Sequence, residues 1–309
     1  MRVTSQTYSN LIISSSQSAQ QQLAQLQQEI STGDSVQVAS DNPLSYQLAS
    51  QDQSMISQLN AYSSAASVAT TATAQNNQAM TNIHQLLAQA GEYATTVSSD
   101  TSSTDMGTIA TEMSDLLDQL TSVVNQKDSN GNYLFGGTAN QPPLTSSGTY
   151  NSATNGATQT IEVQQGNAVQ TGIVAGRSGS PPVDGFLYDS STGVDVVGAL
   201  NQTITDLKSG NATSVMNTDL PALNNALNLV SQYVGSTAAS MSAVSAATTS
   251  LTQQLDSQNA QVNNLTQTNL PNITVQLQQI QNQYQASLEA GSRILSLSML
   301  NYMGSVPTS

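Results

Sequence analysis

Apolar and small residues recur along this chain in steps of four and three. From Leu44 they run through Leu48, Met55, Leu59, Tyr62, Ala66, Ala69, Thr73, Asn76, Met80, Ile83, Leu87, Ala90, Ala94 and Val97. From Met55 on the alternation is unbroken, which is a heptad seam held over many helical turns. At 1.5 Å per residue, such a helix is on the order of 80 Å long. A second seam runs through Leu220, Leu223, Leu227, Val230, Val234, Thr237, Met241, Val244, Thr248, Leu251, Leu255, Gln258, Val262 and Leu265. Between them, Met106, Ile109, Met113, Leu116, Leu120 and Val124 share one face of a shorter helix, about residues 104–127.

Both chain ends carry the same kind of stripe. Near the N-terminus it is Tyr8, Ile12, Ala19, Leu23, Leu26 and Ile30; near the C-terminus it is Ile273, Leu277, Ile280, Tyr284, Leu288, Leu295 and Met299. Pro271 sits where the second seam slips phase. Proline is tolerated in a first helical turn but not in an interior, so residues 269–272 are expected to break one helix and start another. The seams are rich in Ala, Thr and Asn. Each buried CH₂ contributes about 0.8 kcal/mol, so an alanine seam stabilises less per turn than a leucine seam. The terminal segments are weaker still, and are expected to order only when packed against each other or against other copies.

The middle of the chain breaks this pattern. Residues 138–195 hold four of the 8 prolines, in the pairs Pro142-Pro143 and Pro181-Pro182. Strand-like alternation appears from Thr158 to Val163, and short apolar runs appear at Ile173-Val174 and from Phe186 to Tyr188. This reads as a small β-rich insert between helices. The expected fold is therefore mainly α with a small β insert, an elongated helical bundle whose N- and C-terminal helices pair antiparallel. Three regions follow: a terminal coiled coil with a connecting spoke (1–42 and 270–309), a long-helix core (43–137 and 196–269), and an outer insert (138–195).

Composition narrows the function. Only 8% of the 309 residues are charged, and the net charge is −14 with 5 Lys+Arg. A nucleic-acid partner needs a basic stripe, and an anionic membrane would repel this chain; neither is expected. There are no cysteines, hence no thiolate metal site and no disulfide framework. No 7–15-residue apolar signal core opens the chain, so an extracellular protein of this kind would leave by a route without a cleaved signal. Trp is absent and Phe occurs twice, so the usual large aromatic core is missing.

Candidate chemistry is sparse. His84 is the sole histidine and reads as a position flanking the seam. Glu112, Asp115 and Asp118 fall beside the apolar stripe of their helix and read as a solvated face. Asp128-Ser-Asn-Gly-Asn132 resembles part of a calcium loop but lacks its spacing; Asn-Gly favours a turn. Four Asn-x-Ser/Thr tripeptides, at Asn201, Asn211, Asn264 and Asn272, carry no function here. No catalytic residue, metal site or cofactor is expected.

Residues 30–49, ISTGDSVQVASDNPLSYQLA, join two helices. Gly33 follows Ile30 as a glycine stop. Val36 and Val38 alternate in an extended spoke. Asp41 or Asn42 then offers an N-cap, with Pro43 in the first turn. Neither Asp34 nor Asp41 needs an ion.

Four motifs carry a family resemblance. They are the opening MRVTSQTY, the pair ISTG and ASDNP, the turn NGNYLFGGT at residues 130–138, and the ending ILSLSMLNYM at residues 294–303. Together they resemble the flagellin superfamily and, within it, the hook–filament junction proteins. Only the β insert is unmatched. Two departures stand out: Asp34 follows the STG where that family usually has a basic residue, and Asn42 replaces a second aspartate. Specific salt bridges at the spoke are therefore not carried over.

The resemblance implies a structural, non-enzymatic subunit of the extracellular bacterial flagellum, exported unfolded. It implies a short self-assembled ring, with a neighbouring hook-associated protein on one side and flagellin on the other. The helices bearing Tyr8, Ile12, Leu23, Leu26 and Ile30, and Ile273, Leu277, Ile280, Tyr284, Leu288, Leu295 and Met299, would pack subunits. An export chaperone would cover the second set. Gly33, Asp41, Asn42 and Pro43 would form the spoke joint. Tyr133, Leu134, Phe135, Gly136 and Gly137 would anchor the turn from helical arm to insert. Periodicity alone does not separate a junction protein from flagellin itself. A non-flagellar adhesin with a helical stalk is the other alternative, and an enzyme hosted in so short an insert is a remote one.

Overall fold

A computed structural model describes residues 5–151, 156–177 and 182–303. Some side chains within its terminal helices, including those of Tyr8, Leu295 and Met299, lie outside the described set, as does Pro181. Seven helices occur among the described residues. They are α1 (Ser5–Thr32), α2 (Pro43–Thr96), α3 (Ser103–Val124), α4 (Val196–Lys208), the single turn α5 (Ala212–Ser214), α6 (Leu220–Thr266) and α7 (Leu270–Met303). A π-helical segment, Val215–Asp219, joins α5 to α6. Between α3 and α4 lie two hairpins, β1 (Thr160–Gln164) with β2 (Asn167–Gln170), and β3 (Tyr188–Asp189) with β4 (Val194–Asp195), both antiparallel.

The chain divides into two compact units, residues 1–57 with 256–309 and residues 58–255. This boundary falls inside α2 and α6, not at the helix ends from which the sequence regions were drawn.

The second unit holds two clusters of buried apolar side chains. The larger combines Met80, Ile83 and Leu87 of α2 with Met113 and Leu120 of α3, Leu200 and Leu207 of α4, and Leu223 and Val230 of α6. The smaller puts Val163 and Val169 of the first hairpin against Leu59, Ala66 and Ala69 of α2 and Val244, Ala247 and Leu251 of α6. The α2 seam is thus buried from Leu59 outward along the sequence, as a 3.5-residue repeat requires. The α6 seam is less regular: Met241 is 43% exposed, while Ala226 and Ala247 are buried.

Both phenylalanines are fully buried, and Phe135 meets Phe186 edge to face at 4.8 Å. They meet where the arm-to-insert turn lies beside the segment leading into β3. Tyr233 of α6 adds a third ring, 6.3 Å from Phe186. The Ala175 N–H donates to the Phe135 carbonyl and the Phe186 N–H to the Val174 carbonyl, so backbone pairing holds the rings in place.

A polar clamp fixes the insert to α4. Asp195 is the N-cap of α4, its Oδ1 accepting from the Gly198 N–H at 2.8 Å. The same carboxylate pairs with the Arg177 guanidinium, which lies over the rings of Tyr150 (5.4 Å) and Tyr188 (5.0 Å). The Tyr150 hydroxyl lies within hydrogen-bonding distance of Asp195 Oδ1 and the Leu187 carbonyl. Burial pushes the Tyr150 phenol well above its ordinary range, so it stays a neutral donor.

Replacing Phe135 by Ala removes a ring from a site with 0% exposure. The cavity left costs about 3–5 kcal/mol, or roughly 10 °C in melting temperature for a unit of this size. An unchanged melting curve would contradict this assignment of the core.

A second prediction concerns pH. Asp219, at the end of the π segment, is 2% exposed. Burial, with the nearby Asp206 carboxylate adding to it, raises the Asp219 carboxyl from 3.8 to about 6. The folded state therefore holds this proton more tightly than the unfolded chain. Its stabilising effect is full below pH 3.8 and is lost as pH rises through about 6. Asp219→Asn is expected to flatten that decline in a series of thermal melts. Parallel profiles for the two proteins would refute it.

Candidate assembly surfaces

The first unit is built around the joint at residues 32–45. α1 ends at Thr32, and Gly33 takes a φ of +80°, its N–H donating to the Glu29 carbonyl at 2.9 Å. This is a left-handed helix stop, which costs glycine least. The chain then pairs with the α6–α7 connection. Ser35 donates its N–H (2.6 Å) and hydroxyl (3.0 Å) to the Thr266 carbonyl, and the Thr268 N–H donates to the Gly33 carbonyl at 2.9 Å. Asp34 and Gln267 form an antiparallel bridge. The two crossings between helices therefore brace each other through backbone bonds.

Asp41 and Asn42 divide the work at the far end of the spoke. Asp41 Oδ2 accepts from the N–H groups of Gln37 (3.0 Å) and Val38 (3.1 Å), which closes the loop. Asn42 caps α2, its Oδ1 accepting from the Ser45 N–H at 3.1 Å, and Pro43 is the first helical residue. At the other crossing Asn269 caps α7, its Oδ1 accepting from the Asn272 N–H at 3.2 Å.

The helices α1 and α7 pack against each other, with Gly291 close to Ile12. On these facing stripes Leu26 and Ile273 are buried, whereas Ile12, Leu23, Ile30, Leu277, Ile280 and Tyr284 are only half-buried and Leu288 is 51% exposed. The buried apolar residues described for this unit are Ala19, Leu26, Ile56 and Ile273, and neither apolar cluster extends into it. Between α1 and α7 a groove of about 350 Å³ opens beside Leu26 and Ile280.

The start of α2 is more open still. Leu44, Leu48 and Met55 share one face of the helix and are 67%, 41% and 45% exposed, while Leu59, next on the same seam, is 5% exposed. Beside them Tyr46 lines a groove of about 430 Å³ with Val36, Ala49 and Val262. Ten of the thirteen exposed large apolar residues among those described lie in this smaller unit. Exposed apolar surface concentrated in one region marks an interaction site. The open face of Leu44, Leu48 and Met55 was not distinguishable in the sequence, where it continues a seam that is buried elsewhere.

In the second unit, the arm-to-insert turn gathers Tyr133 to Gly137. Phe135 is in the core; Leu134 packs on its edge, its N–H donating to the Gln126 carbonyl. Tyr133 lies under the Lys127 ammonium at 4.5 Å. Gly136 has no room for a side chain, since a Cβ there would collide with the Gln141 carbonyl oxygen, and Gly137 has a φ of +63°. Asp128 forms a turn, its Oδ1 accepting from the N–H groups of Asn130 and Asn132. Glu112, Asp115 and Asp118 are exposed, and His84 is half-buried beside Ile83. Among the described residues no three acidic or histidine side chains converge to hold a metal, and no helix is long and apolar enough to cross a membrane.

Comparison with known proteins fits this architecture. Residues 3–140 match the family model for the bacterial flagellin N-terminal helical region. Among curated proteins none matches. Several solved structures share the fold. A flagellar hook-associated protein structure from Vibrio parahaemolyticus aligns with a TM-score of 0.64 at 17% identity, over 74% of this chain and 100% of that one. FlgL from Bacillus cereus aligns at 0.55 and 16%, over 67% and 96%. The flagellar junction protein FlgL from Legionella pneumophila aligns at 0.56 and 14%, over 71% and 100%. Residues 3–140 are thus similar to the bacterial flagellin N-terminal helical region, and the chain shares the fold of the flagellar hook-associated protein structures.

Proposed function

We propose that this chain is a structural subunit of the bacterial flagellum that joins the hook to the flagellin filament. The carrying observation is the α2 seam that stays open at Leu44, Leu48 and Met55 but is filled from Leu59 on. A helix face of this kind is completed by another helix, and the weakly buried α1–α7 pair needs the same. Copies of this chain supply both in a ring, with the terminal helices and the α2 face buried between neighbours. The structural likeness to hook-associated and junction proteins supports this position in the flagellum.

In this reading the subunit works by packing and catalyses nothing. It is exported and functions outside the cell. A neighbouring hook-associated protein seats one side of the ring and flagellin the other. An export chaperone covers the α7 stripe from Ile273 to Leu288 before assembly, since exposed apolar stripes associate readily. A second reading, the bulk filament subunit itself, is favoured by the family model matched at residues 3–140, which describes flagellin.

Deleting the gene separates these readings by electron microscopy and a protein gel of the medium. The junction role predicts hooks without filaments and flagellin shed as monomer. Hooks without filaments and without shed flagellin would make this the filament subunit. Normal filaments would contradict both. On the purified protein, replacing Leu44, Leu48 and Met55 together by Ser is expected to leave the monomer's melting temperature within about 2 °C, since exposed positions contribute little, while abolishing oligomers in sedimentation. Wild-type assembly by this variant would sink the proposed surface.

A further inference from the structure

Along α2 and α6 the two apolar clusters are separated by a polar layer. Asn76 of α2 is 3% exposed, as are Thr73 (2%) on the same helix and Thr237 (3%) on α6. The Asn76 amide donates from Nδ2 to the carbonyl of Thr171, just past the end of β2. Because a carbonyl only accepts, this bond fixes the orientation of the amide. Asn76 Oδ1 is left buried, and no protein donor reaches it.

The neighbouring hydroxyls do not repair this. Thr73 Oγ1 donates to the Ala69 carbonyl (2.8 Å) or the Thr70 carbonyl (3.2 Å), and Thr237 Oγ1 to the Val234 carbonyl (2.7 Å) or to Asn77 Oδ1 (3.1 Å). Each hydroxyl has one proton, so both are committed, but their oxygens keep lone pairs that can accept. Asn76, Thr73, Thr171, Gly172, Thr237 and Ser240 line a cavity of about 20 Å³. One water needs about 10–15 Å³ and two to four polar partners. The lining bears no charge, so it suits a neutral ligand.

We propose that this cavity is a binding site for a single structural water. The water donates one proton to Asn76 Oδ1 and the other to a threonine oxygen of the same layer. It links α2, α6 and the strand end of the β1–β2 hairpin through one polar node. The node also sets helix register. A slip of one step would place an apolar seam residue such as Val234 or Met241 opposite Asn76, leaving the amide dry and unpaired, much as a single polar seam residue selects register in coiled coils.

The test is a crystal structure of the full chain at a resolution that shows ordered solvent. A solvent peak is expected within about 2.6–3.2 Å of Asn76 Oδ1. An empty cavity, or a Ser240 hydroxyl turned in to donate to Asn76, would overturn the proposal. In solution, ¹⁷O relaxation dispersion should count one fewer long-lived water in Asn76→Leu than in the wild type. Equal counts in two folded proteins would overturn it as well.

Discussion

The constraint on which this structure rests is that an apolar helical seam must be covered. From Leu59 to Val97 the α2 seam is covered within its own chain, by α3, α4, α6 and the first hairpin. From Leu44 to Met55 it is not. The same helix thus has one stretch covered within the chain and one that remains exposed. With few charged side chains and seams full of Ala and Thr, the exposed stretch has little else with which to satisfy itself.

That division shapes the other features. In the second unit the turn residue Phe135 meets Phe186 of the insert, and Tyr233 of α6 joins them. The ion pair of Arg177 and Asp195 ties the insert to the cap of α4 in the same region. The first unit relies instead on short polar fixings. Gly33, Ser35, Thr266 and Thr268 hold the two helix-to-helix crossings side by side through backbone bonds. Such bonds set geometry but contribute modestly to net stability, about 1 kcal/mol each. A joint that is well defined beside helices that are weakly buried is the arrangement expected of a part completed by assembly.

Much of this local structure was legible from residue patterns. The 4-3 spacing marked α2, α3 and α6; Gly33, Pro43 and the choice of Asp41 or Asn42 marked the spoke's helix ends; Pro271 marked the start of α7. These signals are local, set by backbone sterics and helix period. What escaped depends on tertiary context. The helix α4 is too short to register as a seam, although Val196, Val197, Leu200, Ile204 and Leu207 share a buried face. The Arg177 clamp and the Ser35–Thr266 bond join residues distant in sequence, and Ser and Thr are too common here to flag a particular pair. Nor does periodicity separate Met55, which is open, from Leu59, which is covered.

The central claim, that the terminal helices and the open α2 face take their stability from neighbouring subunits, is tested most directly by amide hydrogen exchange on the monomer and on the assembled form. In the monomer, α1 and α7 should exchange at least about a hundredfold faster than the α2 stretch around Ile83, because local opening follows buried apolar contact. On assembly, α1, α7 and residues 44–55 should become protected together. Protection of α1 and α7 in the monomer equal to that around Ile83, or no gain at residues 44–55 on assembly, would contradict the account.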